Sequence, residues 1–210
     1  MSQSKTDAET GGSAVPTKCV DCQALQQVPF ACEDCHQLLA QVQGADYFEL
    51  FGVPRTYDLD VEELEEKYLT ISRNIHPDKF VMAGEEMQAF ALRGTAAVNN
   101  AYDVLRDPIH RAEYMLESAG GHSATEDKRV PQDLLADVMA LREEIEEAKA
   151  GDDPRAVEAI RDRITKRKQA MERTIAGLCR ALVGGGTEMK KELRLQLNAM
   201  KYINNLLARR

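Results

Sequence analysis

Apolar residues recur at the spacing of an α-helix from residue 46 onward, and no alternating strand pattern competes with them. The first such segment is short, over 46–51, and Gly52 ends it. Asp60 predicts the next helix start, because Glu63 three residues later completes the sequence pattern of a capping box. The helix that follows is predicted over about 60–75.

Two prolines organise the next part of the chain. Pro77 ends the helix over 60–75, because proline has no amide hydrogen to donate and disfavours the α conformation in the residue before it. A second long helix is predicted over about 85–105, closed by Asp107 and Pro108, with a short helix over 111–116 behind it. The pattern therefore predicts two antiparallel helices with residues 76–79 exposed at their tip.

The last third of the chain contains three more amphipathic segments. The first predicts a buried seam, because its apolar residues alternate steps of four and three, at Leu134, Val138, Leu141, Ile145 and Ala148. A helix to about residue 183 follows, and Gly184 to Gly186 separate it from the last helix. Three amphipathic helices with short breaks predict an antiparallel three-helix bundle, so the expected fold class is mainly α.

Charge divides the chain near residue 130. The 210 residues carry 27 Lys and Arg against 35 Asp and Glu, a net of −8. Residues 131–210 hold 16 and 13 of these, a net of +3, which leaves 11 and 22, a net of −11, for residues 1–130. An acidic chain without a run of about 18 apolar residues predicts neither nucleic-acid binding nor membrane insertion.

The first residues carry no targeting signal that the sequence reveals. Residues 1–17 are rich in Ser, Thr, Gly and Asp without apolar periodicity, which predicts a disordered tail. They lack the apolar stretch of a secretory signal and the arginines of a mitochondrial presequence, since the first arginine is Arg55. We therefore expect a cytoplasmic protein, or a mitochondrial matrix protein if the chain is a mature eukaryotic form.

Four cysteines form two C-x2-C pairs separated by nine residues: Cys19, Cys22, Cys32 and Cys35. Two such pairs supply the four thiolates of a tetrahedral structural zinc site, with iron as the weaker alternative. A bound metal would also stabilise a segment of about 25 residues that is too short for its own apolar core. Two disulfides, or redox-active thiols, are the other readings; disulfides suit an oxidising compartment, and a redox C-x-x-C needs a strand–helix setting.

His76, Pro77 and Asp78 occupy the predicted tip. A carboxylate on a turn stiffened by proline is suited to accept a charge-assisted hydrogen bond from an arginine of a partner. An ordinary helix-ending turn and a hydrolase site of His76 and Asp78 are the alternatives. The hydrolase is disfavoured, because no nucleophile adjoins the two residues and a loop tip offers no water-excluding pocket.

Three motifs together resemble a J domain: DYFELFG at 46–52, HPDKF at 76–80 and VNNAY at 98–102. With RAEYML at 111–116 and the helical C-terminal module, the chain is similar to the HscB/Hsc20 family of co-chaperones over roughly residues 46–210. The cysteine segment resembles the additional N-terminal domain of the Hsc20 branch. The resulting division is a tail over 1–17, a tetracysteine module over 18–43, a J domain over 44–119, a linker over 120–130 and a C-terminal bundle over 131–210.

The resemblance implies a co-chaperone without an active site of its own, which docks on an Hsp70 of the HscA or DnaK type and stimulates its ATP hydrolysis during iron–sulfur cluster assembly. It implies that His76, Pro77 and Asp78 are the activating motif, and it places three cations on the docking face, Lys67, Arg73 and Lys79. The docking helix departs from the family in its charge. Residues 44–119 carry 7 basic against 15 acidic residues, and the helix begins with four glutamates.

A second row of residues runs beside the first seam of the bundle at steps of four: Leu135, Met139, Glu143 and Glu147. Two apolar and two acidic side chains in line suit a partner surface, whereas a wide core stripe with a solvated face is the alternative. The resemblance implies that this row, with Tyr202 on the last helix, binds an IscU-type scaffold protein. Ala136 and Ala140 replace an apolar and an acidic position of the family.

A second class of function remains open for the cysteine module. In a metal-dependent redox sensor, oxidation of the four cysteines would release the metal and change chaperone activity, whereas a structural zinc would stay bound throughout. The sequence also leaves open whether this module mediates self-association.

Overall fold

The computed structural model describes residues 18, 22–24 and 46–208, apart from 83 and 183. In this part of the chain it has no strand, and its α-helices are α1 (Tyr47–Phe51), α2 (Val61–Asn74), α3 (Glu85–Arg106), α4 (Pro108–Ser118), α5 (Gln132–Ala150), α6 (Pro154–Arg180) and α7 (Thr187–Ala208). A 3-10 helix, Pro77–Phe80, lies between α2 and α3. The mainly α class is thus confirmed where the chain is described. None of these helices is long and apolar enough to cross a bilayer.

The helices group into two compact units, and the second begins at Asp107. In the first unit α2 and α3 pack against each other, and α1 packs against both. Its core consists of fully buried apolar side chains at helical spacing, among them Phe48, Phe51, Leu64, Ile71, Val98, Ala101 and Leu105. The predicted helical hairpin is present, and its tip follows the last turn of α2.

Side-chain caps fix where α1 and α2 begin. At α1 the capping box is complete, since Glu49 N donates to Asp46 Oδ1 at 2.8 Å and Asp46 N donates to Glu49 Oε2 at 3.2 Å. At α2 only half of the predicted box forms: Glu63 N donates to Asp60 Oδ1 at 3.1 Å. The Glu63 carboxylate instead contacts Lys67 Nζ at 2.9 Å, one turn along the helix.

The bundle helices bury the predicted seam in the second unit. Leu134, Val138, Leu141 and Ile145 of α5 are buried in one cluster with residues of α6 and α7, namely Ile160, Ile164, Ala199, Ile203 and Leu206. Two helix ends differ from the prediction. α6 ends at Arg180 rather than near 183. There the α-helical hydrogen-bond pattern gives way to a three-residue step, in which Leu182 N donates to Cys179 O. α4 begins at Pro108, three residues early, because the Asp107 side chain caps it.

A fourth helix belongs to this unit, which the three-helix prediction missed. α4 packs against both α6 and α7. Arg194 of α7 is only 1% exposed, and its Nη2 donates to Glu113 Oε1 of α4 at 2.6 Å. Burial by itself would raise the pKa of Glu113, but the hydrogen bond and charge of Arg194, with a smaller contribution from Lys201, hold the pKa below its usual range.

The segment over 120–130 is also held on α7. Asn198 Nδ2 donates to the backbone oxygens of Asp127 and Arg129, both at 2.8 Å. Asp127 is buried and makes an ion pair with Arg129 at 2.6 Å. The stretch predicted as a linker therefore has fixed partners within the second unit, and the domain boundaries drawn from the sequence stay predictions.

Candidate functional site: the tip after α2 and the outer face of α5

The backbone after α2 forms a compact turn. The 3-10 helix Pro77–Phe80 begins directly after His76, whose ring atom Nδ1 accepts a hydrogen bond from Asp78 N at 3.3 Å. Lys79 N donates to His76 O at 3.0 Å, and Phe80 is buried. Pro77 fixes its own backbone φ angle, and the buried Phe80 anchors the end of the 3-10 helix. The backbone that carries the Asp78 side chain is therefore restricted.

The Asp78 side chain points into solvent. It is 87% exposed, and its Oδ2 lies 3.5 Å from His76 Nδ1. The carboxylate therefore keeps its oxygens accessible for a hydrogen bond from another protein. General acid–base chemistry gains most in sites that exclude water, and such exposure offers no exclusion. The geometry favours recognition over the hydrolase alternative.

Two of the three predicted docking cations are exposed beside this tip. Arg73 lies in the last turn of α2, and Lys79 lies within the 3-10 helix. Lys67 is different, because its Nζ donates to Gly52 O at 3.0 Å and contacts Glu63. Its helical position places it on the side of buried Leu64, so its ammonium group ties the end of α1 to α2.

The outer face of α2 is acidic over its first half. Glu62, Glu65 and Glu66 are exposed, and Leu69 on the same face is exposed as well. The departure in charge noted from the sequence is thus a property of the solvent-facing surface. A partner that docks along the whole of α2 therefore contacts glutamates over the first half of the helix and exposed cations only near its end.

The row on α5 lies outside the core. Leu135 and Met139 are exposed although the adjacent Leu134 and Val138 are buried, and Glu143 and Glu147 are exposed further along the helix. This separates the row from the buried seam and contradicts the wide-stripe alternative. Tyr202 of α7 is half-buried and packs against the core cluster of the bundle. The structure leaves two apolar and two acidic side chains in line on one exposed helix face.

Most of the predicted metal module lies outside the described residues, namely Cys19, Cys32 and Cys35. Cys22 is described and is exposed. Among the residues the structure describes, no three His, Cys, Asp or Glu side chains cluster as a metal site. Cys179 of α6 is buried, and its burial raises the pKa of the thiol to about 12. It is therefore unsuited to act as a thiolate ligand.

Comparisons with known proteins agree with these features. A family model of the DnaJ domain matches residues 46–114, and a model described as the HSCB C-terminal oligomerisation domain matches residues 130–209. The solved structure of chaperone HscB from Vibrio cholerae is 30% identical, covers 78% of this chain and 93% of its own, and has a TM-score of 0.66. This chain belongs to the HscB co-chaperone family. The J-domain and C-terminal resemblance seen in the sequence is thereby confirmed.

Two further relatives extend the comparison. The co-chaperone protein HscB homolog of Shewanella amazonensis is 41% identical over 110 residues, which are 52% of this chain and 63% of that HscB protein, less than two thirds of its length. The crystal structure of human co-chaperone protein HscB has a TM-score of 0.71 and covers 90% of this chain and 93% of its own. At 23% identity this second likeness shows the HscB fold alone.

Proposed function

We propose that this chain binds an IscU-type scaffold protein through the outer face of α5, delivers it to an Hsp70 and stimulates ATP hydrolysis by that Hsp70 in iron–sulfur cluster assembly. Membership of a co-chaperone family, which is not an enzyme family, supports the general role. The observation that carries the proposal is the Asp78 carboxylate, exposed at the apex of a stiff turn.

In the proposed contact, Asp78 accepts a charge-assisted hydrogen bond from an arginine of the Hsp70. Such a bond contributes about 1.5–3 kcal/mol. His76 and Pro77 hold the turn, since the histidine ring accepts the Asp78 amide hydrogen and proline restricts the backbone. Arg73 in the last turn of α2 and Lys79 in the 3-10 helix would attract anionic groups of the same partner.

The exposed row of α5 is the proposed scaffold surface. Leu135 and Met139 supply apolar anchors, and Glu143 and Glu147 orient a partner that carries basic side chains. Tyr202 contributes the exposed part of its ring from α7. The expected scaffold surface is therefore an apolar patch with cations along one edge.

The first test is single-turnover ATP hydrolysis by the cognate Hsp70 with the unsubstituted chain or Asp78→Asn. Asparagine keeps the shape of the side chain and removes its charge, and the exposed position limits any effect on folding. We expect stimulation by the unsubstituted chain, more with scaffold present, and loss of it in Asp78→Asn. Equal rates with both proteins would refute the role of the tip.

A second test measures scaffold affinity directly. Leu135→Ser with Met139→Ser should weaken binding roughly a hundredfold, since two exposed apolar anchors together contribute about 2–3 kcal/mol. Leu92→Ser is the matched control, because Leu92 is an exposed leucine of α3 in the other unit. Equal loss from the control and the double variant would show that the α5 row has no specific role.

For the N-terminal cysteines we propose structural zinc held by Cys19, Cys22, Cys32 and Cys35, and for the protein a cytoplasmic location. Only the ligand spacing supports the zinc. Elemental analysis of the purified chain should find one zinc per chain, lost on replacing Cys32 by serine. Iron in its place, or release of metal by peroxide with a change in chaperone activity, would favour the redox-sensing alternative.

A further inference from the structure

Two apolar side chains lie exposed directly after the 3-10 helix Pro77–Phe80. Val81 is 57% exposed and Met82 is 96% exposed, and they follow Phe80, which is buried. Single exposed apolar side chains are common on soluble proteins. Two adjacent exposed apolar side chains next to a motif proposed to bind a partner are less common. The neighbouring Phe80 is buried and anchors the turn, and both side chains face solvent.

The distance from Asp78 places this pair inside any interface centred on the tip. The 3-10 helix rises about 2 Å per residue, and extended chain at most about 3.6 Å, so the Met82 Cα lies no more than about 11 Å from the Asp78 Cα. A weak, transient interface buries up to about 600 Å² on each partner, which as a circular patch has a radius of about 14 Å. A protein that binds Asp78 at the centre of such an interface therefore has Val81 and Met82 within its reach.

We infer that Val81 and Met82 form an apolar contact with the Hsp70 that strengthens docking but takes no part in triggering hydrolysis, which the proposed function assigns to Asp78. The inference rests on the proposed function. Methionine suits such a contact, because its flexible, polarisable side chain adapts to an apolar surface of irregular shape. The Hsp70 must then present an apolar patch beside the arginine that receives Asp78.

This apolar contact also offsets the charge of the docking helix. Glu62, Glu65 and Glu66 face solvent on α2, so a partner surface suited to cations gains little along that half of the helix. Apolar burial does not depend on charge and is weakened little by salt. The pair thus supplies docking energy next to the end of α2, where the motif lies.

The test titrates the Hsp70 with the full chain in single-turnover ATP hydrolysis and separates the half-saturating concentration from the maximal rate. The double variant Val81→Ser with Met82→Ser should raise the half-saturating concentration roughly tenfold, equivalent to about 1.4 kcal/mol, and leave the maximal rate unchanged. Met82→Leu, which keeps an apolar side chain, should titrate like the unsubstituted chain.

Val61→Ser is the matched control, because Val61 is 40% exposed and is the first residue of α2. Thirteen helical steps separate it from the end of α2, about 20 Å from the tip side. It should not change either parameter.

The outcomes separate the inference from the proposed function. If Asp78→Asn abolishes stimulation while the double serine variant titrates normally, the apolar contact is refuted and the co-chaperone role stands. A lowered maximal rate with an unchanged half-saturating concentration also refutes it, since the pair would then act in activation. Failure of the unsubstituted chain to stimulate would overturn both.

Discussion

Replacing Arg194 by methionine removes the guanidinium group that meets both carboxylate oxygens of Glu113 inside the second unit. The side chain volume is largely kept, so the perturbation is electrostatic. The pair joins residues 81 positions apart and connects α7 to α4. We expect the substitution to destabilise the packing of α4 on the bundle.

The size of the effect follows from burial. Breaking a buried ion pair by removing one partner costs about 3–5 kcal/mol, because the remaining charge is left without compensation. Here the Glu113 side chain is 17% exposed, and Lys201 Nζ stays 3.3 Å from its Oε1. Arg194 Nε is buried without a hydrogen-bond partner among the described residues, and methionine removes that unsatisfied atom. We therefore expect the lower end, about 3 kcal/mol.

Hydrogen–deuterium exchange of α7 backbone amides measures this cost within the full chain, because those amides report the opening of the second unit. A loss of about 3 kcal/mol should speed their exchange roughly a hundredfold. Adding Glu113→Leu should restore most of the stability, since replacing both partners of a buried pair by apolar residues is nearly neutral. A single substitution that costs under about 1 kcal/mol, or a double variant no more stable than the single, would refute the reasoning.

The same pair has a pH dependence with a definite sign. The pKa of Glu113 is lowered in the folded state, so its contribution to stability is full above the unfolded value of about 4.3 and is lost as pH falls through the folded value. The difference in stability between the unsubstituted chain and Arg194→Met should shrink over that acidic range. A difference that stays constant on acidification would contradict the charge-based account.

Further substitutions test other parts of the second unit. Gly177→Ala should stabilise the chain by about 0.8–1 kcal/mol in thermal unfolding, because the glycine is inside α6 and its added Cβ meets nothing within 4 Å. Gly121→Ala should cost about 1–3 kcal/mol, since its Cβ would overlap the Leu116 side chain and come 3.0 Å from that residue's carbonyl oxygen. Asn198→Leu should cost about 1–3 kcal/mol by leaving two backbone carbonyls of the 120–130 segment without their donor, measured by urea unfolding. Cys179 should resist thiol reagents until the chain unfolds, because its thiol is buried with a pKa of about 12.

Helical periodicity was sufficient to predict the seam of α5. Leu134, Val138, Leu141 and Ile145 are buried where their spacing placed them, because a face that repeats every 3.6 residues must pack on another element. The exposed tip was predictable for a local reason as well, since Pro77 cannot continue α2. Both predictions depend on residues within a few positions of each other.

The polar interior of the second unit was not predictable in that way. Arg194 and Asn198 are buried on α7, yet each needs a partner about 70 to 80 residues away, Glu113 in one case and the carbonyls of Asp127 and Arg129 in the other. A sequence pattern alone places arginine on the surface, because arginine is rarely buried without a paired charge and the pattern does not identify that partner. The exposure of Val81 and Met82 was not predictable for the opposite reason, because a sequence pattern predicts that two apolar residues beside Phe80 are buried.

The attachment of α4 has a consequence for exchanging modules between relatives. The DnaJ-domain match extends to residue 114, yet α4 packs on α6 and α7 and its Glu113 is neutralised by α7. A crossover placed after α4 would join the α4 of a relative to the α7 of this chain. Arg194 would then face whatever residue the relative has at the position of Glu113. A crossover at Asp107 keeps the helix with its own counter-charge. Functional chimeras within the family should therefore recombine before α4, so that the fourth helix is inherited with the C-terminal half.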